Sequence, residues 1–488
     1  MMLERFLSTE EAGRALGDRA FVQAMLDVES ALARAQARHG AVPEPAALAI
    51  AQACRAERFD LDALAAEGAR AGSLAIPLAR QLTAEVARAH PDAAAFVHLG
   101  ATSQDILDTA QVLVARSALA LIDRDLATLS ARLLALAAVH RGVPVLGRTL
   151  LQPAAVVSLD AKIAHWVAPL VRGQARLHAA GAAALQLQLG GAAGTRAALG
   201  PQAREIAAEM GFLLALPSPA TAWHTERDRL ADLACQLALL VGSLGKIGRD
   251  IALMSQGEVG ELAEATGDGR GGSSAMPHKR NPVGAMVALA AALRAPQRVA
   301  ALLAAMPQAH ERGLGDWQAE LVEFSGLLAT THGAVQAVLQ AVTGLQVDAA
   351  RMGRNIEAQR GLVFAEALSM RLAGTLGKSA AHRLVEGWTR TVVAEDRFLR
   401  SVAEEALVSD AALAGVLDTA AMDTLFDARQ VAAAASAQVV DALREATDHA
   451  ASLAARAPWS AWLPRTEHTR PGERGAERPL SATTQETR

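Results

Sequence analysis

The sequence predicts an all-α protein organised around a bundle of long helices, and three observations carry that prediction. Aromatic residues make up 3% of the 488-residue chain, tyrosine is absent, and alanine and leucine dominate. Both are strong helix formers, whereas β-rich folds draw on valine, isoleucine and aromatic side chains. The second observation is a stripe. Leu230, Leu233, Leu237, Leu240, Leu244, Ile247, Ile251 and Met254 alternate at spacings of three and four without a miss. That pattern puts them on one face of a single helix, along roughly 36 Å of its length, suited to knobs-into-holes packing. The third is a shorter stripe of the same kind: Leu119, Ile122, Leu126, Leu129, Leu133 and Leu136.

The remaining elements follow in chain order. Residues 1–110 read as short helices, with breaks at Gly40, Pro43, Pro45, Pro77 and Pro91. Residues 111–350 form the expected long-helix region. It includes two further apolar runs, Val283–Leu293 and Gln318–Val342, with Pro296 expected to end or kink the helix between them. From about residue 351 to 457 the pattern shortens again, with breaks at Gly361, Gly374 and Gly377. Residues 458–488 are expected to be a disordered tail, because the stretch from Arg465 to Arg488 is polar, with prolines, glycines and mixed charge.

Composition narrows the partners and the compartment. The chain is 51% hydrophobic and 20% charged, with a formal net charge of −4. Its arginines are scattered among acidic residues, so no nucleic-acid partner is expected. The two cysteines, Cys54 and Cys235, lie far apart and make neither a metal-ligand spacing nor a disulfide framework. No metal is expected, and the compartment implied is reducing and cytoplasmic. The N-terminus, MMLERFLSTEEAGR, has acids early and no apolar core of a signal peptide. The uncharged stretch from Ala179 to Thr195 is too short and too polar to span a membrane, and no membrane partner is expected.

Three polar, glycine-punctuated segments interrupt the helices. The first runs from His98 through Gly100, Thr102 and Ser103 to Asp105, just before the first long stripe. Hydroxyls and backbone amides at a helix start suit an anionic group, and the same residues also suit a plain N-cap. The second, Gly147 to Ala154, reads as a loop entering a helix at Pro153. The third runs from Gly267 to Pro282, with glycines at 267, 269, 271 and 272, then Ser273, Ser274, Lys279 and Asn281. The spacing of a phosphate-binding P-loop is absent. Mobile backbone with hydroxyls and a cation instead suits a lid over an anionic substrate.

These segments resemble the three signature motifs of the fumarase/aspartase superfamily, in family order. GGSSAMPHKRNP (271–282) resembles its most diagnostic motif, HLGATSQDILDT (98–109) its first and GRTLLQPA (147–154) its second. The resemblance covers residues 1 to about 450. It implies a three-domain all-α fold with a central long-helix bundle, a homotetramer, and no cofactor. A finer resemblance is to the bacterial 3-carboxy-cis,cis-muconate cycloisomerases. It rests on residues 223–229 (WHTERDR), 305–315 (AMPQAHERGLG) and 347–352 (VDAARM).

One departure bears on the chemistry. Lyases of the superfamily typically carry histidine in the second motif, where this chain has Leu150. An amine or hydroxide leaving group needs a proton to depart, which a histidine can help supply. A carboxylate leaves as a stable anion with a pKa near ~4 and needs none. Leu150 therefore favours a lactonising isomerase over a C–N lyase resembling adenylosuccinate lyase, which remains the alternative. The resemblance implies Ser274 as the acid/base residue, with Lys279 and Asn281 holding the carboxylate whose charge grows in an enediolate-like intermediate. It implies Thr102, Ser103 and Gln152 as ligands of another carboxylate. His98, His224 and Arg312 are further candidates, His98 with a catalytic role. The implied substrate is a small tricarboxylate.

Overall fold

The computed structural model describes residues 2–267, 269, 271–273, 275–410, 413 and 416–456. The expected tail at 458–488 lies outside the described residues.

Five long helices form the body, labelled α1 (Ser103–Val139), α2 (Leu159–Ala184), α3 (Asp228–Met254), α4 (Val283–Ala304) and α5 (Asp316–Thr343). All eight apolar residues of the 230–254 stripe are buried on α3. On α1, Leu119, Ile122, Leu126, Leu129 and Leu133 are buried and Leu136 is half-buried. The α3 stripe meets α2, α4 and α5, while α1 packs on α2 and α5. Small residues let two of these helices approach closely. A Cβ on Gly245 would sit 2.5 Å from the Ala292 Cβ, and one on Gly248 would sit 3.1 Å from the Ala285 carbonyl oxygen.

Proline placement differs from expectation in two ways. Helix α4 continues through Pro296 to Ala304, because its packed side, Ala285, Ala288, Ala291, Ala295, Val299 and Leu302, is buried on both sides of the proline. The lost backbone hydrogen bond is a local cost that this packing outweighs. Pro45 and Pro77 do not break helices either. Each lies in the first turn of its helix, Glu44–Ala53 and Ala75–Ala89, where the missing N–H has no intrahelical acceptor. Gly40 and Gly361 do end elements, with φ of 72° and 82°. Gly374 lies inside the helix Ala365–Leu376.

The second motif is a β-hairpin and not a helix entrance. Strand β1 (Pro144–Thr149) pairs antiparallel with β2 (Gln152–Ser158), with Arg148 opposite Pro153. The helix starts later, at Leu159, where the Ser158 hydroxyl accepts from the Ala161 N–H at 3.3 Å. Consecutive β-branched Val156 and Val157 favour the strand. A second two-stranded sheet joins Leu262–Ala263 (β3) to Gln346–Val347 (β4). Beyond it, helices from Ala365 to Leu425 enclose a separate apolar cluster around Leu368, Leu372, Val385, Leu399 and Met422.

By length and composition α3 and α4 could cross a membrane. The apolar stripe of α3 is buried within the bundle. On α4, Met286, Leu293 and Leu303 are exposed.

Candidate active site

The polar segments gather at two opposite ends of the bundle. The first end is built around Asp105, in the first turn of α1 and 0% exposed. Its Oδ2 accepts from the Thr102 N–H at 3.0 Å, which closes the helix start. The same carboxylate accepts from Gly190 N–H at 2.7 Å, Gly191 N–H at 2.9 Å and the His224 ring Nε2 at 2.8 Å. The Gly190 position has no room for a side chain, since a Cβ there would lie 2.7 Å from His224 Cε1. His224 is 3% exposed, and its Nδ1 has no partner among the described residues.

His98 stands beside this cluster in a left-handed backbone conformation, φ 58°. Its Nδ1 lies 2.6 Å from Glu29 Oε1. Burial works to lower the His98 pKa, but the bond to Glu29 and the charges of Glu29 and Asp105 prevail and raise it. Arg312 reaches across from the segment before α5 and donates to the Ala192 carbonyl at 3.1 Å. His98, Thr102, Ser103, His224 and Arg312 are thus brought to one end of the bundle, around the loop 190–194.

Beneath them lies a buried charge network. Arg227 is fully enclosed and donates to Asp108 at 2.8 and 3.1 Å and to Glu320 Oε2 at 2.9 Å, with a second contact to Glu320 Oε1. Its guanidinium carbon lies 4.8 Å from the centre of the Trp223 ring. Trp317 Nε1 donates to Asp108 at 2.9 Å. Burial pushes the Arg227 pKa down, and the two carboxylates more than reverse this. Burial also leaves the Glu320 carboxyl above its ordinary value despite its partner. The network fixes the segment 223–227 against α1 and α5, and so fixes His224 over Asp105.

The other end holds the hairpin and the glycine loop. Arg148 forms a two-pronged pair with Glu261, at 2.7 and 3.0 Å, and Asn355 donates to the same carboxylate at 2.8 Å. Glu264 accepts from Gly284 and Ala285 N–H at 2.9 and 2.8 Å, which satisfies the start of α4. Asn281 closes the base of the loop: its N–H donates to Gly271 O at 2.8 Å and its side chain to Gly272 O at 3.2 Å. Ser273 Oγ accepts from the Met276 N–H at 3.1 Å. Lys279 and Gln152 are exposed. Ser274 lies outside the described residues.

The hairpin tip is unusual in chemistry and shape. Leu150 and Leu151 form its two-residue turn at φ 50° and 67°. Such turns normally take Asn-Gly, and left-handed backbone costs other residues roughly 1–2 kcal/mol each. Leu150 is 97% exposed.

One chain therefore does not assemble all the candidate residues. Thr102 precedes the 37-residue α1 and the hairpin follows it, so the two groups are separated by about 55 Å of helix. Glu29, Asp105 and the Arg227 network were not among the residues expected at the site. Asp105 lies within a quoted motif, and Arg227 within another, so type and position were available. Nothing in the sequence links Glu29 to His98.

Residues 8–296 match the lyase family. The chain belongs to that family, the fumarase/aspartase superfamily. It is 49% identical over 429 residues to a 3-carboxy-cis,cis-muconate cycloisomerase of Pseudomonas aeruginosa, covering 88% of this chain and 92% of that one. It is 44% identical over 438 residues to the enzyme of that name from Bradyrhizobium diazoefficiens, covering 90% and 96%. The crystal structure of the 3-carboxy-cis,cis-muconate lactonizing enzyme from Pseudomonas putida superposes with a TM-score of 0.85 at 42% identity, covering 92% of this chain and 99% of that one.

Proposed function

We propose that this lyase-family chain is a 3-carboxy-cis,cis-muconate cycloisomerase, interconverting the open tricarboxylate and its γ-lactone in protocatechuate catabolism. The observation that carries the reading is nearly end-to-end likeness to cycloisomerases, at 49% identity in one case. Leu150 at the hairpin tip is consistent with it, because a departing carboxylate requires no proton.

In the forward direction one substrate carboxylate oxygen bonds to an alkene carbon. The electron pair of the double bond moves toward the carbon beside another carboxylate, and a proton is delivered there. In reverse a base removes that proton and the C–O bond breaks, returning a free carboxylate. Ser274 is the residue assigned to this proton transfer. Its alkoxide would need stabilisation by amides of the glycine loop and by Lys279. Lys279 and Asn281 serve the carboxylate that gains charge. Gln152, Thr102, Ser103, His98, His224 and Arg312 are assigned to the remaining carboxylates and their surroundings.

Those of them that the structure describes lie at two ends of the bundle, so a complete site needs more than one chain. A cytoplasmic homotetramer, with the long helices of four chains side by side, supplies that arrangement. The exposed apolar residues Leu239 on α3 and Met286, Leu293 and Leu303 on α4 support such packing.

Ultraviolet assays with 3-carboxy-cis,cis-muconate and with adenylosuccinate test the activity. Consumption of the first alone is expected, and consumption of adenylosuccinate alone would overturn the reading. Light scattering on the purified protein tests assembly, with four chains expected.

A further inference from the structure

We infer that Glu29 is a positioning residue that acts through His98, holding the ring so that it presents Nε2–H to a substrate carboxylate. The inference rests on the proposed site, in particular on the end of the bundle around Asp105 being part of it.

Glu29 lies in the middle of the helix Asp18–Arg38 and is 2% exposed. A buried carboxylate is costly unless paired. Among the described residues its one hydrogen-bond partner is His98 Nδ1 at 2.6 Å, and Glu29 Oε2 has none. Gln36, seven residues along the same helix and so on the same face, donates to the Leu99 carbonyl at 2.8 Å. Two residues of one helix thus grip the chain at His98, whose backbone is left-handed, and at Leu99. With Nδ1 committed to Glu29, Nε2 is the nitrogen left for a ligand.

The protonation state follows from the surroundings. Only the imidazolium can donate from both nitrogens, to Glu29 and to an anionic ligand. The charges that act on the ring are Glu29 from its helix and Asp105 from α1, both negative. Asp105 is itself shared with His224 and lies near Arg196. The raised His98 pKa agrees with this arrangement. A structural Glu29 would only need to fill its space. A positioning Glu29 must also keep a proton on His98.

The test uses the full-length enzyme, Glu29→Gln and Glu29→Asp. The glutamine variant keeps shape and an acceptor but removes the charge. NMR titration of His98 in the ligand-free wild-type protein should give a pKa above the ordinary value of ~6.5, and Glu29→Gln should lower it. With the muconate substrate, Glu29→Gln should raise KM about tenfold, with the smaller part of the effect on kcat. It should also move the alkaline limb of kcat/KM to lower pH, and Glu29→Asp should restore much of that limb. A wild-type His98 that titrates at or below ~6.5, or a limb that Glu29→Gln leaves in place, overturns the inference. If muconate is not a substrate at all, the proposed function fails, while the ligand-free titrations still decide whether Glu29 controls His98.

Discussion

Asp105 and His224, 119 positions apart in sequence, meet at 2.8 Å between Oδ1 and Nε2 in a fully enclosed pocket. The same carboxylate takes three backbone N–H groups, from Thr102, Gly190 and Gly191. One side chain therefore ties the start of α1, the glycine turn and the 223–227 segment together.

Asp105→Asn should destabilise the protein by about 3 kcal/mol, since an amide NH₂ must face donors that the carboxylate satisfied. Urea unfolding of wild type and variant measures this. A difference below about 1 kcal/mol would mean that the four donors find other acceptors.

Arg227→Met should cost about 3–5 kcal/mol, because Asp108 and Glu320 would be left buried without their counter-charge. Adding Asp108→Asn and Glu320→Gln should recover part of the loss. Chemical denaturation of the single and combined variants reads the coupling. Strict additivity would contradict the buried network.

Gly245→Ala should destabilise the α3–α4 contact by about 1–3 kcal/mol through overpacking against Ala292. Ala292→Gly in the same chain should relieve it. Thermal melts of the wild type and the two variants are sufficient, and a double variant no better than Gly245→Ala would move the close approach elsewhere.

Asp125 gives a stability change with pH. Burial raises its pKa, but hydrogen bonds from His332, Arg124 and Gln336 lower it further than burial raises it, so the net shift is downward. A depressed carboxyl pKa contributes stability that is complete above the unfolded value of ~3.9 and is lost as pH falls through the folded value. Stability of the wild type should therefore decline below about pH 4 more steeply than that of Asp125→Asn. Denaturant midpoints measured from pH 7 downward check the slope.

Ser274→Ala should cut turnover by roughly 10³-fold or more while leaving assembly intact. Steady-state rates alongside light scattering test both halves. A variant with near-normal rate would remove Ser274 from the proton transfer.

The all-helical class and the course of the two long stripes were legible in the sequence, because burial along a helix repeats at a fixed spacing. The buried residues from Leu230 to Met254 show it directly. The clustering of polar residue types was legible too, since serine, lysine and histidine sit close together in short motifs. The hairpin at 144–158 was not, because a two-leucine turn at positive φ contradicts local preference, and the pairing of its flanking strands closes it. Nor was the continuity of α4 through Pro296, which packing on the far side of the proline sustains.

By itself the sequence determined which residue types are present, the all-helical class with its two long apolar stripes, and which motifs carry polar groups. Only the tertiary structure decided that Glu29 faces His98, that Asp105 collects four donors, and that the motif groups lie at opposite ends of the bundle. The physical reason is range. Periodicity and turn chemistry act over a few residues. Ion pairs between buried side chains depend on where whole helices come to rest.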